Sequence, residues 1–270
     1  MNKKTLSILL ASWMLQAPIA HALTGLEIMT RNEDARKVNE FESRAKLESG
    51  NTKDASTKIK EFSFWRKVQS DGIHNSTFTR FHAPAEVRNE GILIVENGSG
   101  KNDVLLYLPA YKKIRRVESQ QQSGSFMGSV FSYSDIATPH VDEYQYRVMK
   151  EESCPTPESA SVKCYVVEAL PANDTIKERT GYSKSVAWVR HDNFMVVKGE
   201  YYNLEGALFK RLEASQIKLV DPKNQKWLSH SLYIIQLKTG DFTRLEFSKV
   251  KVNGGIADAI FTQQNLQKVN

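Results

Sequence analysis

The chain is poor in the side chains that build metal and redox centres. Cysteine occurs twice, at Cys154 and Cys164 in "CPTPESASVKC". That excludes a disulfide-rich scaffold, and two thiolates alone are a poor metal set. The spacing is also wrong for the C-x-x-C of a redox pair. In an oxidising compartment two cysteines this close pair, clipping a hairpin whose loop carries Pro155 and Pro157, a closure worth about 3 kcal/mol at most. Histidine is scarce as well. His74, His82, His140, His191 and His230 show no H-x-x-H or H-E-x-x-H spacing, so each reads as a surface or turn residue rather than a zinc ligand. Long apolar runs are missing beyond the first residues. The later ones are of strand length, and none would span a membrane.

Catalytic signatures are lacking too. "GSGK" at Gly98 to Lys101 has Val95 where a phosphate-binding loop needs its first glycine, and Asn102 where it needs a hydroxyl. A hairpin turn accounts for it better. "GSFMG" places its serine one position early for a nucleophile elbow. Carboxylates mostly alternate with basic residues, as on solvated strand faces. These absences point away from an enzyme, and no catalytic residue, metal or cofactor is expected.

What is present begins at the N-terminus. Lys3 and Lys4, an apolar run from Thr5 to Ile19 and Ala20-His21-Ala22 form the charged, apolar and A-x-A parts of a secretory signal peptide. Cleavage is expected after Ala22, leaving residues 23–270 as one soluble, periplasmic domain with no linker inside it. The formal charge of +6 falls to +4 without Lys3 and Lys4, a weak attraction to negative surfaces. "YKKIRR" holds the densest positive cluster, Lys112, Lys113, Arg115 and Arg116. It reads either as a charged edge or as a docking point for acidic headgroups or an acidic partner. Nucleic acid is not expected for an exported chain.

"TGLEIMTRNEDARK" predicts a short helix, with Thr24 as N-cap and Glu27 completing a capping box. From Glu40 the pattern turns to period two. Strands are predicted at Phe41–Glu48, Thr57–Gln69, Ser76–His82, Gly91–Glu96, Asp103–Leu108 and Lys112–Glu118. A second set follows at Glu143–Glu151, Cys164–Leu170, Tyr182–Arg190, Phe194–Tyr202, Leu208–Leu219, Lys226–Leu237 and Phe242–Val252. Connections of two to five residues make neighbours antiparallel. So many strands curl rather than lie flat. In "LFKRLEASQIKL", and again between Phe247 and Val250, the apolar set changes parity, which reads as a β-bulge. The fold class is therefore α+β and mostly β: a curved antiparallel sheet forming an incomplete, half-open barrel, with a few helices over its concave face. "ADAIFTQQNLQKV" ends the chain as helix or coil.

Residues 125–136, "SFMGSVFSYSDI", are apolar where a loop would be polar. Met127, Val130 and Phe131 stand at i, i+3 and i+4, predicting a weak amphipathic helix ended before Pro139. Gly124 and Gly128 each weaken it by about 1 kcal/mol, so it must pack on something. It serves either as a lid over an apolar cavity or as a plug in a barrel end.

Here the chain resembles the LolA-like outer-membrane lipoprotein-sorting proteins, of the branch associated with RND or MMPL-type exporters. The likeness rests on "LYLPAYKKIRRV" followed by "SFMGSVFSYSDI", then "CYVVEALP", "VAWVRHDNFMVVKGEYY" and "IADAIFTQQNL". The resemblance implies an incomplete barrel with helices in its concave side, around a hydrophobic cavity that receives acyl chains. It implies no catalysis. Phe126, Met127, Val130, Phe131 and Tyr133 would line or gate the cavity, with Phe64, Leu106, Leu108, Val186 and Trp188 as walls, their inward parity being the assumption. The implied partners are a lipid or lipoprotein acyl chain, an inner-membrane RND or MMPL-type transporter and, transiently, a membrane surface. A lipid-sensing regulatory protein is the alternative, and a lipid hydrolase a third reading.

Overall fold

The computed structural model describes residues 22–97, 102–137 and 139–268. The expected signal peptide and the "GSGK" turn lie outside them, apart from Ala22. No helix among the described residues is long and apolar enough to cross a membrane. Helix α1 (Gly25–Arg36) begins where the sequence places it: Thr24 Oγ1 accepts from the Glu27 amide, and the Glu27 carboxylate accepts from the Thr24 amide at 2.7 Å.

Thirteen strands then form one antiparallel sheet. They are β1 (Glu40–Asn51), β2 (Asp54–Val68), β3 (Asn75–Ala83), β4 (Gly91–Val95), β5 (Asp103–Leu108) and β6 (Lys113–Val117), followed by β7 (Tyr144–Ser153), β8 (Lys163–Pro171), β9 (Lys184–Arg190), β10 (Val196–Tyr202), β11 (Leu208–Asp221), β12 (Lys226–Gln236) and β13 (Asp241–Val252). The order across the sheet is β6-β5-β4-β3-β2-β1-β13-β12-β11-β10-β9-β8-β7. Every neighbour is a hairpin partner except β1 and β13, which join the chain's first and last strands. The sheet does not close. Its free edges, β6 and β7, are consecutive in the chain, so residues 118–143 run from one edge to the other as a strap. One predicted bulge is present: Lys249 has φ of +51°, and there the β1–β13 register shifts by one. In β11 the register holds across Gln216, from Ser215 opposite Ser231 to Ile217 opposite Ser229, and shifts only between Leu219 and Asp221.

The predicted helix over 125–136 is a correction. Residues 125–132 form a miniature hairpin instead. Ser125 bridges Ser132, the Phe126 amide donates to the Phe131 carbonyl at 2.7 Å, and the Ser129 amide donates to the Phe126 carbonyl at 3.0 Å. Met127 and Gly128 have φ of +52° and +74°, the pair of positive values a type I′ turn requires and which glycine supplies without strain. Only α2 (Tyr133–Ile136) is helical, capped by Ser132 and Asp135. The apolar spacing read as one helix face serves equally to set Phe126 beside Phe131 across a turn. The strap reaches the floor of the sheet, where the Val130 amide donates to Thr243 Oγ1 of β13 at 3.0 Å.

Helix α3 (Asp174–Thr180), which the sequence reading passed over, starts on Asn173 Oδ1 accepting from Ile176 N and stops before Gly181. The C-terminal segment carries a four-residue α4 (Gln263–Leu266) whose Leu266 is buried with Phe78, Leu93, Leu105 and Tyr107. It covers the outer face of β3–β5, the second apolar parity seen in "VLLYL". Cys154 and Cys164 are disulfide-bonded, with Cα atoms 5.0 Å apart.

Candidate functional site

Cross-strand partners share a face, so the register identifies the inner one. In β1–β5 it carries Phe41, Phe62, Phe64, Phe81, Ile92 and Ile94, and the strap adds Phe126, Phe131 and Ile136; all are buried in one cluster. In β8–β11 the inner positions include the small residues Ala169, Ser185, Ala187, Gly199 and Ala214, alongside Tyr201 and Leu212. At Gly199 even a Cβ would come within 3.1 Å of the Tyr201 hydroxyl. These short side chains leave a cavity of about 330 Å³, bounded further by Met29, Tyr144, Tyr146, Met195, Leu212, Leu232 and Ile234. That volume is within the usual range for small-molecule sites. A second cavity of about 250 Å³ adjoins it, lined by Phe41, Phe64, Leu228, Leu245 and Phe247. Glu33, Arg36, Asp135, Pro139 and Met195 border both.

The sequence-predicted residues divide among these places. Phe131 and Val186 border the larger cavity and Phe64 the smaller. Phe126 is fully buried in the aromatic cluster, and Met127, Val130, Tyr133 and Leu106 pack part-buried against that cluster. Leu108 borders neither cavity. Trp188 pairs with Val166 and Lys198, packs with Val186 and the disulfide, and donates its indole N–H to Glu152 at 2.6 Å, on the opposite face. The inward parity of β9 is therefore that of Ser185 and Ala187, one residue off the assumed one. Both parities of that strand are apolar, so alternation could not choose between them. Lys112, Lys113, Arg115 and Arg116 are all exposed on or beside the edge strand β6, with Arg116 paired to Asp103.

Polar groups gather where the two cavities meet. His140 of the strap is buried, not a surface residue, with Nε2 at 3.1 Å from Glu96 and Nδ1 at 3.4 Å from Glu33, the latter an ion pair without hydrogen-bond alignment. Those carboxylates raise its pKa to about 9. Burial pushes Glu33 upward, but His140 and Arg36 outweigh this and hold it below the usual carboxylate range. On the far side of the strap Tyr182 donates to Asp135 Oδ1 at 2.7 Å, and Lys210 Nζ lies 3.7 Å from Asp135 Oδ2. Burial, then the Asp135 charge, raises the Tyr182 pKa well above that of a free phenol. Arg36 and Arg66 border the cavities and donate to the strap carbonyls of Pro139 and Ile136, at 2.6 and 2.8 Å. Sequence reasoning missed this group. Its signal was Arg66 on the parity of Phe62 and Phe64, and Glu33 and Arg36 one and two turns beyond Met29 on α1.

The fold and the cavities define a half-open β-barrel with an apolar chamber under its strap. A family model described as "Uncharacterized protein" matches residues 74–268. A crystal structure of a DUF1329 family protein from Desulfovibrio piger has a TM-score of 0.81 and 26% identity, over 90% of this chain and 97% of that one. A domain from Vibrio parahaemolyticus described as outer membrane lipoprotein-sorting gives 0.80 and 25%, over 90% and 98%. A LolA superfamily protein from Nitrosomonas europaea shares the fold, with a TM-score of 0.69 and 19% identity over 90% of this chain and 100% of that one. No curated protein matches the sequence. The chain belongs to the family whose model matches residues 74–268, and its structural neighbours are outer membrane lipoprotein-sorting, DUF1329 and LolA-superfamily proteins.

Proposed function

We propose that the protein is a periplasmic, non-catalytic carrier that holds a lipid, an acyl chain or the acyl part of a lipoprotein in the cavity beneath its strap. It would move that cargo between an inner-membrane RND or MMPL-type exporter and the outer membrane, after loss of a signal peptide near Ala22. The observation that carries this reading is the inner face of β8–β11, where small residues leave an apolar space of about 330 Å³ that adjoins a second of about 250 Å³. Burying a hydrocarbon chain there gains about 0.8 kcal/mol per CH₂, and Met29 and Met195 adapt to varied chains. The exposed cations of the β6 edge offer a contact for acidic headgroups. Native mass spectrometry and lipid extraction of protein purified from its own envelope test it. A bound hydrophobic ligand and uptake of a fluorescent fatty acid are expected. Recovery of no ligand together with no uptake would sink the carrier reading.

A further inference from the structure

The junction of the two cavities holds more positive than negative charge. Arg36 borders both cavities and Arg66 the smaller one, and among the described residues neither has a carboxylate within ion-pair distance. Each guanidinium has five donors. Arg36 uses one of them on Pro139; Arg66 uses two, on Ile136 and Thr77. Lys210 and His140 complete the cations, facing Glu33, Glu96 and Asp135. Four cations thus face three carboxylates in a largely apolar setting. A half-buried charge only partly balanced by its neighbours is costly, and an incoming anion reduces that cost. Burial lowers both arginine pKa values; Glu33 and Glu96 oppose this at Arg36, and at Arg66 Glu96 opposes it while Arg36 adds to it.

We propose, resting on the carrier reading, that the cargo is an anionic amphiphile whose carboxylate or phosphate oxygens sit on Arg36 and Arg66 while its chain lies in the cavity of β8–β11. Arginine suits this role because its planar fork binds two oxygens at once. The unused donors point to a headgroup that carries full charge, whereas a neutral ester would leave the surplus unanswered.

The test compares chain-matched probes on the whole protein at neutral pH by calorimetry: palmitate, hexadecyl phosphate and methyl palmitate. The wild type is expected to bind at least one of the two anions about tenfold or more tighter than the ester, and which anion wins tells carboxylate from phosphate. Arg36→Gln and Arg66→Gln are each expected to weaken anion binding about tenfold, leaving methyl palmitate within about twofold. Equal wild-type affinity for anion and ester overturns the proposal and leaves the carrier reading standing. A variant that weakens all three probes alike also overturns it, since the arginine then only positions the strap. If no probe binds, the carrier reading falls and this inference with it. Should Arg66→Gln fail to fold, the wild-type ratio and Arg36→Gln decide.

Discussion

The two halves of the sheet have the same strand count to within one, the same antiparallel pairing and the same strap across them, yet the larger cavity lies over one, and only the smaller, near the β1–β13 seam, reaches into the other. In β1–β6 the inner positions carry phenylalanine and isoleucine, and Phe126 and Phe131 complete the packing. In β8–β11 several positions of the same kind carry alanine, serine or glycine, although Tyr201 and Leu212 share that face. A curved sheet therefore does not make a cavity by curvature alone. Side-chain volume decides which part of the concave face becomes core and which is left for a ligand.

The largest effect expected from breaking this contrast is in β1–β6. Phe81 is fully buried, 5.0 Å from the Phe62 ring. Phe81→Ala should cost about 3–5 kcal/mol in urea unfolding, with ligand affinity per folded molecule unchanged. A parallel fall in affinity would mean the halves are not separable. At the boundary, the His140 pKa is raised from 6.5 to about 9. A group raised on folding stabilises fully below its unfolded value and loses that contribution as pH rises through the folded one. About 3 kcal/mol should therefore vanish between pH 6.5 and 9 and be absent from the pH profile of His140→Gln. In the other half, reducing the Cys154–Cys164 disulfide should lower stability by about 3 kcal/mol or less, read as a shift in the urea midpoint. The smallest effect is the sharpest. Ala187→Phe, turned into the cavity, should change stability by less than about 1 kcal/mol and weaken fatty-acid binding about tenfold, or 1.4 kcal/mol. Ala45→Phe, by contrast, meets Phe62 and Phe247 and should cost about 1–3 kcal/mol.

The strands were legible because period-two alternation and short turns are local signals, and the β13 bulge was legible because a parity slip leaves a trace in the apolar pattern; the same slip in β11 only reflects apolar residues on both faces. The strap was not. Spacing of i, i+3, i+4 fits a helix or a tight hairpin, and Gly128 beside Met127 decided for the hairpin. Half of the site was hidden for a related reason. Attention went to large residues such as Trp188, whereas the cavity depends on small ones, and a missing side chain carries little weight in a search for apolar contacts. Arg66 was visible as a charge on an inward parity. Only the fold, however, brings it near Arg36 of α1.

The pairing of β1 with β13 places the beginning and the end of the domain at the middle of the sheet. Each half is a meander of local hairpins, but the seam between them closes a loop of nearly the whole domain and bears the largest entropic cost of any pairing in it. The seam is the natural late step of assembly. Until it forms, the strap has no Thr243 to rest on and the chamber has no far wall, so the cavity is completed with the last strand and not before.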